Sequence, residues 1–517
     1  MYVTVKEGEN DFKFIQNGKE TVITLKTFTG TKAKNDPVPM DGIDIVNIYP
    51  MSDIITLPGK TIELSCTAPA GSTVTVSLGT QNVELKPQGS VKTVPKYLPQ
   101  TYKGTLTLPD NAAENTLTKL GKLIFEAKLS GESVSSAAAE VTLKPENYNV
   151  YAEVTVDYTH LKKTPASSFY DDYLPSSVGM RDYIESLSDG YYKLRFGGYI
   201  ASENAKIVEA TLSEGRVLSV KSETNEENTV FSIETHNNMP LDARCEDGTF
   251  KITLFNAVKD ESVVTEICDN PLFSAVTCQT SKNMVIYKLK LKNSNNYYGF
   301  NYEYVDGFIV FTFRNPKRIP DNDRPLEGIT VIVDPGHGGT DVGALGYVSE
   351  GDKAINEKDI NLLTATAAAR NLEKLGATVI MTRTDDVTME LSERMQFVDD
   401  THADLCISVH HNSLDYTSNI TRVRGFVGLW WDNSGALLAK TLSGTVTRTL
   451  SRYERTPSPQ KLAMCRNHKY PSALLEMAFM TSAEEYESIT TPANINLAGE
   501  AIANGVVEYY KAQEKYL

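Results

Sequence analysis

The chain has 517 residues, of which 41% are hydrophobic and 23% charged, and its formal net charge is −15. This length predicts about three or four domains, and ordinary hydrophobic and charged fractions exclude a disordered, collagen-like or coiled-coil protein. The acidic excess argues against non-specific nucleic-acid binding. Since no run approaches the ~18 apolar residues of a membrane-spanning helix, we expect no transmembrane segment.

The first two-thirds of the chain carry the period-two pattern of half-buried strands. Thr61 to Cys66 and Ser72 to Leu78 alternate polar and apolar residues, and Gly, Pro, Asn and Asp clusters separate such runs at short intervals. Met180 to Ser186 is one of the few helical candidates. The pattern predicts several small all-β sandwiches or barrels.

The six cysteines include no C-x-x-C pair, which argues against a sulfur zinc knuckle, a redox dithiol and a disulfide scaffold. Cys268 and Cys278 could pair, although nothing in the sequence demands it.

Changes in composition predict the domain boundaries. The predicted divisions are an N-terminal β segment and linker at 1–43, β domains at 44–147, 148–212 and 213–317, a proline-rich linker at 318–325 and a last domain at 326–517.

After Pro325 the pattern changes to alternating strands and helices. Alternation of this kind predicts a largely parallel sheet that is covered by helices. The fold class is therefore multidomain, with all-β N-terminal modules and a C-terminal α/β domain whose sheet is mostly parallel. Strands are predicted at 329–333, 378–381, 405–409, 425–429 and 473–477, and helices at 357–375, 391–398, 436–450 and 495–510.

Four residues of the last domain stand where a strand ends or a helix begins. His337 and His410 follow strands, Glu476 lies near the end of a strand, and Glu357 opens a helix. In open α/β sheets the site lies beyond the carboxyl ends of the strands. Two imidazoles and one carboxylate with an open fourth position make a catalytic zinc site, and a further carboxylate can act as general base. We therefore predict His337, Glu357 and His410 as zinc ligands and Glu476 as the base.

Each of these residues also has a simpler interpretation. His337 could be only a turn residue in a glycine-rich loop, and Glu357 could serve only the dipole of its helix. His410 and His411 could form a pair at a strand edge, and because successive strand side chains point to opposite faces, one ligand is expected from them. Glu476 is the strongest single candidate, since a carboxylate in an apolar strand is usually paired or functional.

Other polar residues of this domain remain open. Arg383 and Arg394 could orient a substrate carboxylate or form structural ion pairs. Asn412, which follows the two histidines, is a third candidate for substrate binding. His468 lies in a loop eight residues before Glu476, from which it could reach the site, although a surface position is expected.

The motifs of this domain resemble those of a known family. Its sequence is similar over residues 326–515 to the zinc-dependent N-acetylmuramoyl-L-alanine amidases of the Amidase_3 type. The resemblance implies that His337, Glu357 and His410 bind zinc and that Glu476 is catalytic. His411, Ala478 and Ser482 depart from the family's usual residues, which leaves the fit of the substrate open. The matching motifs are D-P-G-H-G-G, E-K-D-I-N-L, M-T-R-T-D-D, L-S-E-R, A-D-L-C-I-S-V-H-H-N and P-S-A-L-L-E-M-A-F-M-T-S.

The β-rich part resembles modules that accompany such enzymes. Residues 44–147 look Ig-like, 148–212 are similar to a bacterial SH3-type module and 213–317 to an AMIN-type domain. The resemblance implies a secreted, wall-associated bacterial autolysin, although the first residues lack the apolar region of an export signal. Its implied partner is peptidoglycan, with other wall polymers and division or sporulation proteins as further candidates.

Three functions remain open at this point. The favoured one is zinc-dependent hydrolysis of the amide between N-acetylmuramic acid and L-alanine of the stem peptide. The chain could instead be a wall-binding scaffold whose amidase domain is inactive or needs an activator. A zinc carboxypeptidase would use the same chemistry on another bond, and affinity order alone does not decide which divalent metal is bound.

Overall fold

The computed structural model describes residues 8–16, 19–27, 38–90, 96–167, 173–210, 212, 215–346, 355–414 and 423–516. The chain forms two compact units, Met1–Glu146 and Asn147–Leu517. The N-terminal segment and linker predicted at 1–43 lie partly outside the described residues.

The first unit is built from strands. β1 and β2 form an antiparallel pair, and the other strands follow the order β4-β10-β9-β6-β7-β8-β5-β3. Val74 and Val76 of β6 are fully buried, as the alternation in the sequence predicts, and they share a core with Leu64 and Phe125. The strands are β1 Gly8–Gln16, β2 Lys19–Thr27, β3 Val46–Tyr49, β4 Ile54–Thr56, β5 Thr61–Pro69, β6 Thr73–Leu78, β7 Gln81–Pro87, β8 Pro99–Thr107, β9 Thr118–Leu129 and β10 Glu132–Leu143.

The second unit begins with five short strands. β11 pairs with β12 and β15, and β13 pairs with β12 and β14. The helix predicted from Met180 to Ser186 is wrong, because these residues belong mostly to β12. Its burial alternates, with Asp182 and Ile184 inside, so period two was the correct reading of this stretch. The strands are β11 Tyr151–Val154, β12 Arg181–Ser188, β13 Tyr191–Leu194, β14 Tyr199–Ala201 and β15 Ala205–Val208.

Two further sheets follow. One has the order β20-β16-β17-β24-β23 and the other β18-β19-β22-β21. Their core is aromatic: the ring of Phe250 lies 4.7 Å from those of Phe300 and Phe313, edge to face in both cases, a preferred geometry for aromatic pairs. The strands are β16 Gly215–Thr224, β17 Asn228–Thr235, β18 Leu241–Glu246, β19 Thr249–Phe255, β20 Ala257–Lys259, β21 Phe273–Ser281, β22 Met284–Leu291, β23 Phe300–Val305 and β24 Phe308–Arg314.

The last third of the chain is an α/β sheet of order β26-β25-β27-β30-β28-β29. Its pairings are parallel except for β28–β30. Val331 and Val333 pack in the core cluster that includes α1 and α5, whereas Ile332 packs with Val398 of α2. The elements are β25 Thr330–Pro335, α1 Glu357–Lys374, β26 Thr378–Met381, α2 Leu391–Asp400, β27 Leu405–Asn412, β28 Val427–Trp430, α3 Gly435–Leu450, β29 Ser458–Pro459, β30 Ser472–Phe479, α4 Ala483–Thr490 and α5 Pro492–Gln513.

The β sheets of the second unit pack directly on this α/β part. His468 is buried between Tyr158, whose ring stacks on it, and Phe300, whose ring lies 4.9 Å away. The backbone N–H of Phe300 also donates to the His468 carbonyl at 2.8 Å. The surface position expected for His468 is therefore wrong.

The proline-rich segment predicted as a linker is also packed. Ile319 is buried, and the backbone N–H of Lys317 donates to the side chain of Gln513 at 2.9 Å. Residues 147–517 form one compact unit, and the segments predicted as separate domains at 213–317 and 326–517 share one core. The assignment of individual modules to Ig, SH3 and AMIN types stays a prediction.

Two further sequence expectations concern cysteines and membranes. All six cysteines are free thiols, including Cys268 and Cys278. Among the helices that the structure describes, we find none with the length and apolarity needed to cross a membrane.

Candidate metal centre

The first candidate ligand stands on a tight turn after β25. His337 has a φ of 60°, a left-handed conformation that is uncommon for a residue with a side chain. Gly338 and Asp341 exchange backbone hydrogen bonds across the turn. The Asp341 carboxylate lies 2.8 Å from Nδ1 of His337, which fixes the orientation of the ring and leaves Nε2 for another partner.

Three candidate ligands converge at this turn. Glu357, the first residue of α1, lies with Oε2 3.2 Å from Nε2 of His337 and with Oε1 3.1 Å from Nδ1 of His410. One potential ligand atom from each residue lies within 4.8 Å of the other two. The structure therefore brings the three residues predicted as ligands together from β25, α1 and β27.

Two glycines make this convergence possible. A Cβ at Gly336 would stand 2.1 Å from the ring of His410, and one at Gly343 would stand 2.6 Å from Oε2 of Glu357. Heavy atoms do not approach each other this closely without displacement. The glycines of the loop therefore let the backbone pass directly against the candidate ligands.

Charge is balanced inside the cluster. Burial alone would raise the pKa of Glu357, but hydrogen bonds and charge from His337 and His410 outweigh it and hold that pKa far below its ordinary value. Burial lowers the pKa of His337, and Glu357 together with Asp341 reverses this and raises it to about 9. The cluster thus contains an ionised carboxylate, the form in which carboxylates bind metals.

The two adjacent histidines have different environments. His411 is 2% exposed, and its Nδ1 lies 2.7 Å from the side-chain oxygen of Asn361. Burial lowers the pKa of His411 to about 3. His410, in contrast, faces Glu357, so one histidine of the pair joins the cluster, as strand alternation predicts.

Glu476 stands beside the cluster on the neighbouring strand. It is the register partner of His410 across β27 and β30, and parallel strands lie about 4.8 Å apart. Its Oε2 is buried and has no hydrogen-bond partner among the described residues. Burial raises the pKa of Glu476 to about 7, with Glu357 adding to this rise and His410 opposing it. A buried carboxylate oxygen without a partner is typical of a site that awaits a ligand or reactant.

Arg383 and Arg394 support the turn from behind. They are 3% and 4% exposed. Arg383 donates to the carbonyls of Pro335, Gly336 and Lys358. Arg394 pairs with the fully buried Asp334 and donates to the His337 carbonyl at 2.8 Å. Because these donors are used inside the fold, the structural alternative for both arginines is favoured over contact with substrate.

Some residues of this centre were missed in the sequence. Asp341 follows His337 by four residues, and that spacing in H-G-G-T-D was the available signal. Lys358 donates both to the Gly339 carbonyl and to Asp386, and Asp386 accepts from the Gly339 N–H at 2.7 Å. This second link could not be read from the sequence, because nothing there places residue 386 against residue 339.

Asn412, the third candidate for substrate binding, lies in an open position. It lines a cleft of about 530 Å³ together with Glu476. The cleft extends along Leu429 of β28 to Ser458 and Gln460. Asn412 is thus the residue among the three substrate candidates whose surroundings are open to a ligand.

Known proteins share sequence with this part of the chain. The family model described as N-acetylmuramoyl-L-alanine amidase (Amidase_3) matches residues 331–508. The probable cell wall amidase LytH of Staphylococcus aureus is 32% identical over 209 residues, which make up 40% of this chain and 68% of that protein. The chain belongs to the N-acetylmuramoyl-L-alanine amidase family.

Solved structures of amidases are also similar to it. The amidase AmiC2 of Nostoc punctiforme is 30% identical, with coverage of 36% of this chain and 99% of that one and a TM-score of 0.33. For an amidase of Clostridium difficile 630 the identity is 28%, the coverages 36% and 97%, and the TM-score 0.33. The region of the amidase family model contains the cluster of His337, Glu357 and His410 and also Glu476.

Proposed function

We propose that the chain is a zinc-dependent peptidoglycan hydrolase that cleaves the amide between N-acetylmuramic acid and L-alanine of the stem peptide. The observation that carries the proposal is the convergence of three candidate ligands, two imidazoles and one carboxylate, beside a buried carboxylate oxygen of Glu476 that has no hydrogen-bond partner among the described residues. Membership of the amidase family supports the choice of bond. The β modules are proposed to hold the enzyme at the cell wall, where it acts as a secreted autolysin.

The residues present fit a catalytic zinc ion. Two histidines and one carboxylate are a frequent catalytic donor set for zinc, with one position left for water or substrate. A carboxylate behind a ligating histidine, as Asp341 stands behind His337, is the usual outer partner in such sites. His337, Glu357 and His410 would therefore hold the metal.

The chain's own groups then divide the reaction between them. Bound zinc would polarise the scissile carbonyl and lower the pKa of water. Glu476 accepts a proton from the attacking water and returns a proton to the leaving amine of L-alanine as the carbon–nitrogen bond breaks. A pKa of about 7 for this carboxyl allows it to act both as base and as acid near neutral pH.

The test compares Glu476→Gln with His337→Ala in the full chain. We expect Glu476→Gln to retain about one zinc per chain, as a single site requires. Its turnover of muramyl tetrapeptide should fall about 100- to 10,000-fold, the usual contribution of a general acid–base. His337→Ala should lose both zinc and turnover. Metal analysis and detection of the newly formed amino group of L-alanine are the measurements.

Other outcomes separate the alternative functions. Wild-type protein that holds zinc but cleaves nothing, and yet binds peptidoglycan sacculi, would favour the scaffold function or a missing activator. Release of a C-terminal amino acid in place of the new L-alanine amino group would show a carboxypeptidase. Near wild-type turnover of Glu476→Gln would refute the role given to this residue.

A further inference from the structure

An arginine extends over the cleft that contains Glu476. The backbone N–H of Arg455 donates to the Phe426 carbonyl at 2.8 Å, next to a bridge between Phe426 and Glu454. Its guanidinium lies over the ring of Phe479, 5.4 Å from the centroid. Backbone and side chain of Arg455 are thus both held in place by the sheet.

A β-bulge turns Phe479 toward the same side of the sheet as Glu476. His410 pairs with Glu476, and Asn412, two residues on, pairs with Phe479, which is three residues on. Since His410 and Asn412 point to the same face of β27, their partners share that face as well. The guanidinium over Phe479 therefore stands on the reactive side of the sheet.

The distance between the two groups suits a short peptide. Val427 is the register partner of Glu476, and Arg455 lies on the other side of β28, beside Phe426. The backbones of Arg455 and Glu476 are thus separated by two strand spacings, about 10 Å. Arg455 and Glu476 line the same cleft, so a ligand that fills the cleft contacts both residues.

Among the residues that the structure describes, Arg455 has no carboxylate partner, unlike other arginines nearby. The ion pairs of other arginines in this region, Arg394 with Asp334 and Arg424 with Glu484, are within 4.0 Å. In the described part of the chain, the ring of Phe479 is the sole side-chain partner of the Arg455 guanidinium. A half-buried guanidinium whose donors are unused, in a chain of net charge −15, is arranged for an anion that comes from outside.

We propose that Arg455 binds the free α-carboxylate of the D-glutamate at the second position of the stem peptide and so sets specificity. This inference rests on the proposed function. In the substrate this carboxylate is the acidic group nearest the scissile amide, within about two residue lengths, or 7 Å, along an extended peptide. Planar, two-pronged binding of a carboxylate is what a guanidinium provides. Amidation of this carboxylate to D-isoglutamine removes its charge and replaces one acceptor oxygen with a donor.

The experiment compares two muramyl tetrapeptides that differ only at this position, one with D-glutamate and one with D-isoglutamine. For the wild type we expect kcat/KM to be about 10- to 100-fold higher on the D-glutamate substrate, the range of one charge-assisted hydrogen-bonded pair. Arg455→Gln should lose most of this preference through its effect on the D-glutamate substrate, and Arg455→Lys should keep part of it. Arg448→Gln, which removes an exposed arginine of α3, is the matched control and should keep all of it.

The outcomes distinguish this inference from the proposed function. Cleavage of both substrates at equal rates by the wild type would overturn the role of Arg455 and leave the amidase activity standing. An equal loss on both substrates in Arg455→Gln would also overturn it. Absence of cleavage of either substrate by zinc-loaded wild type would contradict the proposed function itself. Zinc content and the urea midpoint of each variant show whether the fold is intact.

Discussion

Replacing Arg394 with methionine should destabilise the α/β part strongly, although this residue touches neither the cleft nor the candidate ligands' side chains. Asp334 is completely buried, and its carboxylate is shared among Arg394, Thr382 and Ser408. Burial raises the pKa of Asp334, and the charge of Arg394 with the two hydroxyls lowers it below its ordinary value. The carboxylate is thus ionised, and Arg394→Met would leave a buried charge without its counter-ion.

The expected cost follows from that geometry. Removing one partner of a buried ion pair typically costs about 3–5 kcal/mol, because the remaining charge stays desolvated. With a urea dependence of about 2–3 kcal/mol per M, the unfolding midpoint should fall by about 1–2 M. The two tryptophans, Trp430 and Trp431, both lie at the end of β28, so tryptophan fluorescence reports on this part of the chain alone.

A surface ion pair and a double variant serve as controls for this prediction. Arg448→Met removes an arginine that pairs with Glu508 at 3.0 Å on the surface, and exposed pairs contribute about 0–1 kcal/mol. Asp334→Asn combined with Arg394→Met removes both charges and should be less destabilising than the sum of the single changes. A loss below 1 kcal/mol for Arg394→Met, or strict additivity in the double variant, would refute the buried-pair argument.

Two further predictions concern Gly336, which packs against His410, and the buried His468. Gly336→Ala should lower zinc retention and turnover at least about tenfold, because its Cβ would stand 2.1 Å from the His410 ring. In the control Gly444→Ala in α3, a Cβ meets nothing within 4 Å, and the change should stabilise the fold by about 0.5–1 kcal/mol. Chelator competition measures zinc retention and urea unfolding measures stability; unchanged zinc retention in Gly336→Ala would contradict the packing argument. Burial, aided by the charge of Lys469, lowers the pKa of His468 to about 3, below the ordinary ~6.5, so the stability that it contributes is present above pH 6.5 and is lost as the pH falls toward 3. From pH 7 to pH 5 the loss in the free energy of unfolding is about 2 kcal/mol. The variant His468→Phe should lack this part of the pH dependence of the urea midpoint. An identical pH dependence in wild type and variant would show that His468 can be protonated in the folded state.

The α/β domain was predictable because its local signals agree with its packing. The helix predicted at 357–375 is observed as α1, Glu357–Lys374, and the strand at 378–381 is observed with the same bounds. Strand ends also located the site, since the carboxyl ends of β25 and β27 carry His337 and His410. The helix predicted from Met180 to Ser186 failed because the polar residue Asp182 is buried, so the burial alternates along β12 while the polar and apolar residues of the sequence do not.

The roles of buried basic residues could not be predicted in the same way. His468 lies in a polar loop and was expected at the surface, whereas Arg383 and Arg394 were left open between binding of substrate and structural ion pairs. In the structure, Phe300 of a neighbouring β sheet covers His468. Arg383 and Arg394 donate to backbone carbonyls of the turn that carries His337. Period and composition show which side chains of an element point inward, but not which other segment arrives to cover them.

The same reasoning explains why Arg455 stands apart from Arg383 and Arg394. All three lie in the region that matches the amidase family, and sequence alone gave no reason to separate them. Structure does, because a buried guanidinium surrounded by carbonyls has its donors satisfied, whereas a half-buried one over an aromatic ring keeps them available. We therefore expect a substrate carboxylate to bind the arginine whose donors are not used within the described part of the fold. In this chain that criterion replaces Arg383 and Arg394 with Arg455.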